Sequence, residues 1–165
     1  MTLLSIDPGP EFSGAVLYNQ QAGNVVKVWE KVDNHELLEF IATCPALFSD
    51  AAIEMVASYG MAVGKTVFET CVWIGRYHEK LSSVIVEPEY IYRKDVKMEL
   101  CNSMKAKDTN IRRALLDRFP GTGGGKTPQV GTKSQPGPLY GVSGHAWAAL
   151  GVAVTWAAMQ ERAAA

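Results

Sequence analysis

Leu3-Leu4-Ser5-Ile6-Asp7-Pro8-Gly9-Pro10 opens the chain with a short apolar run that stops at an acid and a Pro-Gly turn. It reads as a buried strand that delivers one carboxylate at its C-terminal end. Outward from it, residues 14–18 and 25–29 alternate well enough for two more strands, with Asn19 to Asn24 as the hairpin turn between them. Residues 34–43 carry Leu37, Leu38 and Ile41 at helical spacing, which predicts a helix capped by Asn34 and ended by Cys44-Pro45. Residues 51–56 form the next strand. From 63 to 81, Val63, Val67, Cys71, Ile74, His78 and Leu81 recur at three or four, the spacing of a long amphipathic helix. Val84 to Val86 then predicts a strand. Asp108-Thr109-Asn110 opens another helix, with Asp108 read as its N-cap, Ile111, Ala114, Leu115 and Phe119 on one face, and Arg112, Arg113 and Arg118 off it. Pro120 and Gly121 stop that helix. Residues 120–142 hold seven glycines, four prolines and two lysines, a composition that predicts a mobile basic loop with no packed core. A strongly apolar helix over 143–162 closes the chain. The order of elements predicts an α/β fold in one domain, residues 1–165, without internal repeats.

Composition narrows the class further. The 165 residues are 47% hydrophobic and 20% charged, and the mean hydropathy is -0.01. Those values exclude disordered, collagenous and coiled-coil chains. No run approaches the roughly 20 apolar residues of a membrane span, and the N-terminus lacks a basic region followed by an apolar one, so a cytoplasmic protein with no membrane partner is expected. Cys44, Cys71 and Cys101 are odd in number and widely spaced, without a CxxC or CxxH pair, and read as reduced core thiols. The net charge of -1 conceals an asymmetry. Residues 93–133 hold ten cations and four anions, or +6, leaving six cations against thirteen anions, or -7, elsewhere. Such a basic stretch is what a phosphate backbone attracts, since cations there release condensed counterions; a solvated surface is the plainer account.

Two carboxylates carry the chemical signal. Asp7 ends its strand, and Glu54 interrupts the apolar run 51–56, where an unpaired charge would cost several kcal/mol. A divalent cation held between the two strands would account for both, because Mg²⁺ takes carboxylate oxygens and keeps waters for a substrate phosphate. Otherwise Glu54 points to the solvent side of an edge strand or pairs with a lysine. Gly125-Lys126-Thr127 is not a nucleotide-binding loop: the pattern needs a glycine at position 120, where this chain has proline, and the segment follows a helix instead of a strand.

Ser5-Ile6-Asp7-Pro8-Gly9, Ala52-Ile53-Glu54 and the final helix His145-Ala146-Trp147-Ala148-Ala149-Leu150 resemble RuvC-type Holliday junction resolvases. The likeness is closest to the phage-encoded branch, through residues 64–75 and 108–119, and it covers most of the chain. The resemblance implies a ribonuclease H-like mixed five-stranded sheet flanked by helices. It also implies a homodimer acting on branched DNA (four-way junctions, and possible forks and flaps) by two-metal phosphodiester hydrolysis in the cytoplasm, that of a bacterial host if the gene is a phage's. Residue by residue, Asp7 and Glu54 match the family's metal-holding acids, and His145 matches the first member of an acidic pair on the last helix. The second member falls on Ala148, which cannot bind metal. Two carboxylates and an imidazole hold less charge than four carboxylates, so weak binding of Mg²⁺ or Mn²⁺, with Mn²⁺ favoured, is expected. Glu69 is the reserve ligand on the long helix, or else the partner of Lys65 four residues earlier. Lys97 resembles the lysine that the family brings toward the scissile phosphate. Lys105, Lys107, Arg112, Arg113, Lys126 and Lys133 are expected on the DNA backbone, and Tyr59 on an unpaired base. Phe68, Cys71, Trp73 and Ile74 on the long helix are read as either the dimer face or core packing. His35 and His78 have no partners in view and read as structural. Two further functions stay open: a branched-DNA binder of the same fold that has lost cleavage through Ala148, and an ATP-using relative of the superfamily, which the lack of further Gly-rich phosphate strands disfavours.

Overall fold

The computed structural model describes residues 1–84 and 87–165. The apolar N-terminal run is β1 (Thr2–Asp7). It pairs antiparallel with β2 (Phe12–Asn19), which pairs antiparallel with β3 (Asn24–Asp33). After α1 (Asn34–Thr43) and a short 3-10 turn, β4 (Asp50–Met55) returns parallel to β1. The long helix α2 (Lys65–Val84) leads to β5 (Glu89–Tyr92), parallel to β4. Three helices follow: α3 (Arg93–Cys101), α4 (Asp108–Arg118) and α5 (Ala146–Ala164). The result is a mixed five-stranded sheet in the order β3-β2-β1-β4-β5, flanked by helices. Among the described residues no helix is long and apolar enough to cross a membrane.

The strand alternation sorts side chains to two cores. Leu4, Ile6, Ala15, Leu17 and Ile53 pack on α1 and α2 through Leu37, Ile41, Ile74, Tyr77 and Leu81. Leu3, Val16, Ala52 and Ile91 face α5 with Leu150 and Val154, and α3 and α4 close that side with Val96, Leu100, Ile111 and Leu115. Residues 3, 5 and 7 of β1 therefore share a face with 52 and 54 of β4, and that face looks at α5.

Several expectations are corrected. The α1 cap is Asp33, whose carboxylate accepts from His35 N at 2.8 Å; Asn34 is instead buried and holds other polar groups. Val84 ends α2 rather than opening a strand, and Ile85 and Val86 lie outside the described residues. Lys107, not Asp108, caps α4, and the Asn110 side chain accepts from the Lys107 N–H at 2.8 Å. Of the three free thiols, Cys101 is half-buried and packs against the α5-side core, Cys44 is half-buried, and Cys71 lies exposed on α2. The Gly/Pro-rich stretch is closed by its own backbone hydrogen bonds, among them Gly123 N to Pro128 O at 2.8 Å and Gly124 N to Gln135 O at 2.9 Å. It also gives Leu139 and Val142 to the core. Gly131, at φ +77°, lies so close to the backbone at Gln135 and Gly137 that no side chain would fit.

Candidate active site

Asp7 and Glu54 stand at the C-terminal ends of two neighbouring parallel strands, where ligands bind in open α/β sheets. The pairing Ile6↔Ile53 makes them adjacent, and their shared face turns both toward the start of α5. Two contacts bring that helix in. Ser5 Oγ donates to Ala149 O at 2.6 Å, two residues below Asp7. Gly14, opposite Asp7 in the ladder, has no side chain because a Cβ there would lie 2.6 Å from His145 O. The helix end that carries His145 is thereby seated beside Asp7.

The cleft so formed has a volume of about 450 Å³ and is lined by Asp7, Glu54, Arg93, Asp108, His145 and Ala148, with Arg112 and Trp147 along the α4–α5 side. Burial pushes both strand acids up: Asp7 to about 6 and Glu54 to about 7. The charge on neighbouring Asp7 raises Glu54 further, while Arg93 opposes both shifts. Arg93, the first residue of α3, lies with Nη1 3.9 Å from Glu54 Oε1 and with Nη2 bonded to Asp108. Both Arg93 and Asp108 escape a linear reading as site residues. The pair spans fifteen positions, although Arg93 follows the β-prone run Tyr90-Ile91-Tyr92 directly and so stands at a strand's C-terminal end.

Of the residues expected at the site, Asp7, Glu54 and His145 line this cleft, as does Arg112, whose guanidinium sits 4.8 Å over the Trp147 ring. Glu69 does not; it is exposed on α2 with Lys65 Nζ at 3.5 Å, the helix-pair alternative. Lys97 lines a neighbouring hollow of about 180 Å³ with Tyr59, Arg93, Lys94 and Met104. Tyr59 has φ +48° and is 59% exposed, and it also walls a second hollow running back to Asp7 and Glu54. Lys105 and Lys107 are exposed just before α4. Arg113 is exposed and paired with Asp117 at 3.1 Å. Lys126 and Lys133 project from the glycine-rich stretch. On α2, Ile74 belongs to the core and the half-buried Trp73 leans on Tyr77, the core-packing alternative, while Phe68, Cys71 and Val72 are exposed. His35 packs edge-on against Trp73, and His78 bridges Tyr90 and Glu87.

No family model matches the chain, and no curated protein matches it. Solved structures do. The RuvC of Thermus thermophilus in complex with Holliday junction substrate is 15% identical over 96% of each chain, with a TM-score of 0.64. A structure of Thermus thermophilus RuvC is 17% identical over 97% of each chain, with a TM-score of 0.62. The chain has a ribonuclease H-like fold. More narrowly, the fold is of the RuvC type.

Proposed function

We propose that this chain is a structure-specific, metal-dependent DNA endonuclease that resolves four-way junctions and related branched DNA. The observation that carries the reading is the pair of adjacent strand-end acids, both raised by burial, set in a cleft walled by α4 with Arg112. The donor set fits a hard cation. Asp7 and Glu54 offer carboxylate oxygens, which suit Mg²⁺ or Mn²⁺, and a bound cation would offset the burial that raises both acids. The fit is incomplete, since among the described residues no three His, Cys, Asp or Glu side chains are grouped to hold a metal ion. This favours Mn²⁺, which tolerates nitrogen donors such as His145 better than Mg²⁺ does.

Divalent ions bound there would activate a water and stabilise charge on the leaving oxygen. Asp7 and Glu54, as carboxylates, would hold the cation. His145 offers an imidazole nitrogen to the ion or to its water. Arg112, steadied on Trp147, with Lys105, Lys107 and Arg113 along the same edge, holds the DNA backbone in register. Lys97 and Tyr59 lie where the strand leaves the cleft, one neutralising a phosphate and the other stacking on an unpaired base. Lys126 and Lys133 extend the backbone contact. The exposed Phe68 and Val72 of α2 support a homodimer, which would set two such sites on a two-fold substrate and yield symmetric cuts.

The test is cleavage of a labelled mobile four-way junction beside its linear duplex, in Mg²⁺ and in Mn²⁺, with binding followed in EDTA. Paired symmetric nicks on the junction alone, faster in Mn²⁺, are expected. Cleavage of duplex and junction alike would overturn the structural selectivity. A second reading rests on Ala148, which faces the cleft with only a methyl group. Junction-selective binding without nicks in either metal would favour a branched-DNA binder that has lost catalysis.

A further inference from the structure

Position 148 leaves a gap in the acid set, and the fold places another acid across the same cleft. Asp108 is the first residue of α4 and lines the cavity with Asp7, Glu54 and Ala148. Its carboxylate accepts from Arg93 and from no backbone N–H of α4. The Arg93 guanidinium also approaches Glu54. A cation is thus already held between the strand-end acid and the helix acid, and it is a side chain that can withdraw. Asp108 lies close enough for its charge to raise both Asp7 and Glu54. With its side chain 87% exposed it is free to turn inward, a turn that the resting arrangement, with Asp108 bound to Arg93, has not made.

We propose that Asp108 supplies the carboxylate missing at position 148, ligating the divalent cation beside Asp7 and Glu54 once Arg93 has given way. The proposal rests on the metal-dependent reading above. It makes Arg93 the resident counter-cation of the empty-handed acids and a competitor of the metal, and it moves one ligand from the last helix to α4. Three carboxylates and His145 then face one ion, a set of oxygen donors with one nitrogen that suits Mn²⁺.

The experiment is Mn²⁺ affinity of the full chain, read from the EPR signal of the free ion, with thermal melts confirming that each variant is folded. Asp108→Asn should weaken binding about tenfold or more, the loss expected for a ligand and its surroundings. Arg93→Gln should tighten it. The deciding comparison is Asp108→Asn in the Arg93→Gln background, where binding should again weaken, and Ala148→Asp added to Asp108→Asn should restore it. If Asp108→Asn weakens binding only while Arg93 is present, Asp108 merely holds the arginine off Glu54 and the ligand role is wrong. If Asp108→Asn binds within about twofold of its parent while Asp7→Asn loses the ion, the metal site stands and the proposal falls. If Asp7→Asn and Glu54→Gln bind Mn²⁺ as the unsubstituted chain does, the metal-dependent reading itself fails.

Discussion

Two buried polar clusters lie on opposite sides of the same sheet, and they are built on opposite principles. On the α1–α2 side, Ser13 donates to Asn34 Oδ1 at 2.6 Å, Tyr77 donates to the same oxygen at 2.9 Å, and Asn34 Nδ2 reaches Gly9 O at 2.9 Å. Every member is neutral and partnered, so the network fixes the turn after Asp7 at little electrostatic cost. On the α5 side, Asp7 and Glu54 are adjacent acids, both raised by burial, with one arginine 3.9 Å from Glu54. One cluster is complete without a ligand; the other is complete only with added positive charge. Breaking the first should cost stability, and breaking the second should cost function, with stability unchanged or improved.

The largest effect should come from the acids. Asp7→Asn or Glu54→Gln is expected to lower junction cleavage about a thousandfold or more, as metal stabilisation of a transition state is worth several kcal/mol. Melting temperatures in EDTA should hold or rise. A variant that melts well below the parent while still cutting would erase the contrast between the clusters.

Next comes Asn34→Ala, which removes the shared partner of Ser13, Tyr77 and Gly9 O and leaves the two hydroxyls only each other, at 3.1 Å. At roughly 1–3 kcal/mol for each buried group left unpaired, the melting temperature should drop by about 5 °C or more. Junction binding by the folded fraction should persist, a combination that calorimetry and gel shift together can check.

The acid pair should also set a pH dependence that the neutral network lacks. Asp7 rises from 3.8 to about 6 and Glu54 from 4.5 to about 7 on folding, so between about pH 4 and pH 7 the folded state holds more protons than the unfolded one. The stabilisation is present in full below the unfolded values and is lost as pH climbs through the folded ones. Relative to Asp7→Asn, the parent in EDTA should therefore lose melting temperature from pH 4.5 to 7.5. Mn²⁺ should reverse the trend near pH 7.5, where both acids are mostly ionised and a bound cation offsets the cost of burying their charge. A parallel pH course for the two proteins would mean that burial does not raise Asp7.

The contrast also explains what could be read from a linear string. Asp7 and Glu54 interrupt apolar runs, and a charge where burial is expected is a local signal. The alternation of β1, β2 and β4 was equally open. β5 escaped because, as an edge strand, it buries one residue, Ile91, while the β-branched run at 84–86 drew the prediction upstream. α3 escaped because only Val96 and Leu100 of its nine residues are buried, too few to mark a period. Arg93 and Asp108 meet through tertiary packing, which no spacing rule foretells. The glycine-rich stretch misleads in another way: Gly131 and Gly137 read as freedom, yet each is a place where two backbones touch.

That stretch frames the smallest prediction. Lys126 and Lys133 lie outside the acid cleft and belong to neither cluster. If they contact the DNA backbone, Lys126→Ala and Lys133→Ala should each weaken binding by a similar factor on every branched substrate, and each should lower the slope of log affinity against log salt by about 1. Metal affinity and the pH course of melting should not move, because neither lysine faces the acids. An unchanged salt slope would leave the charge of this region as solvated surface and confine the DNA contact to α4 and the hollow beside Tyr59. A slope change confined to four-way junctions would instead mean that the glycine contacts hold these lysines in a shape that reads the branch point.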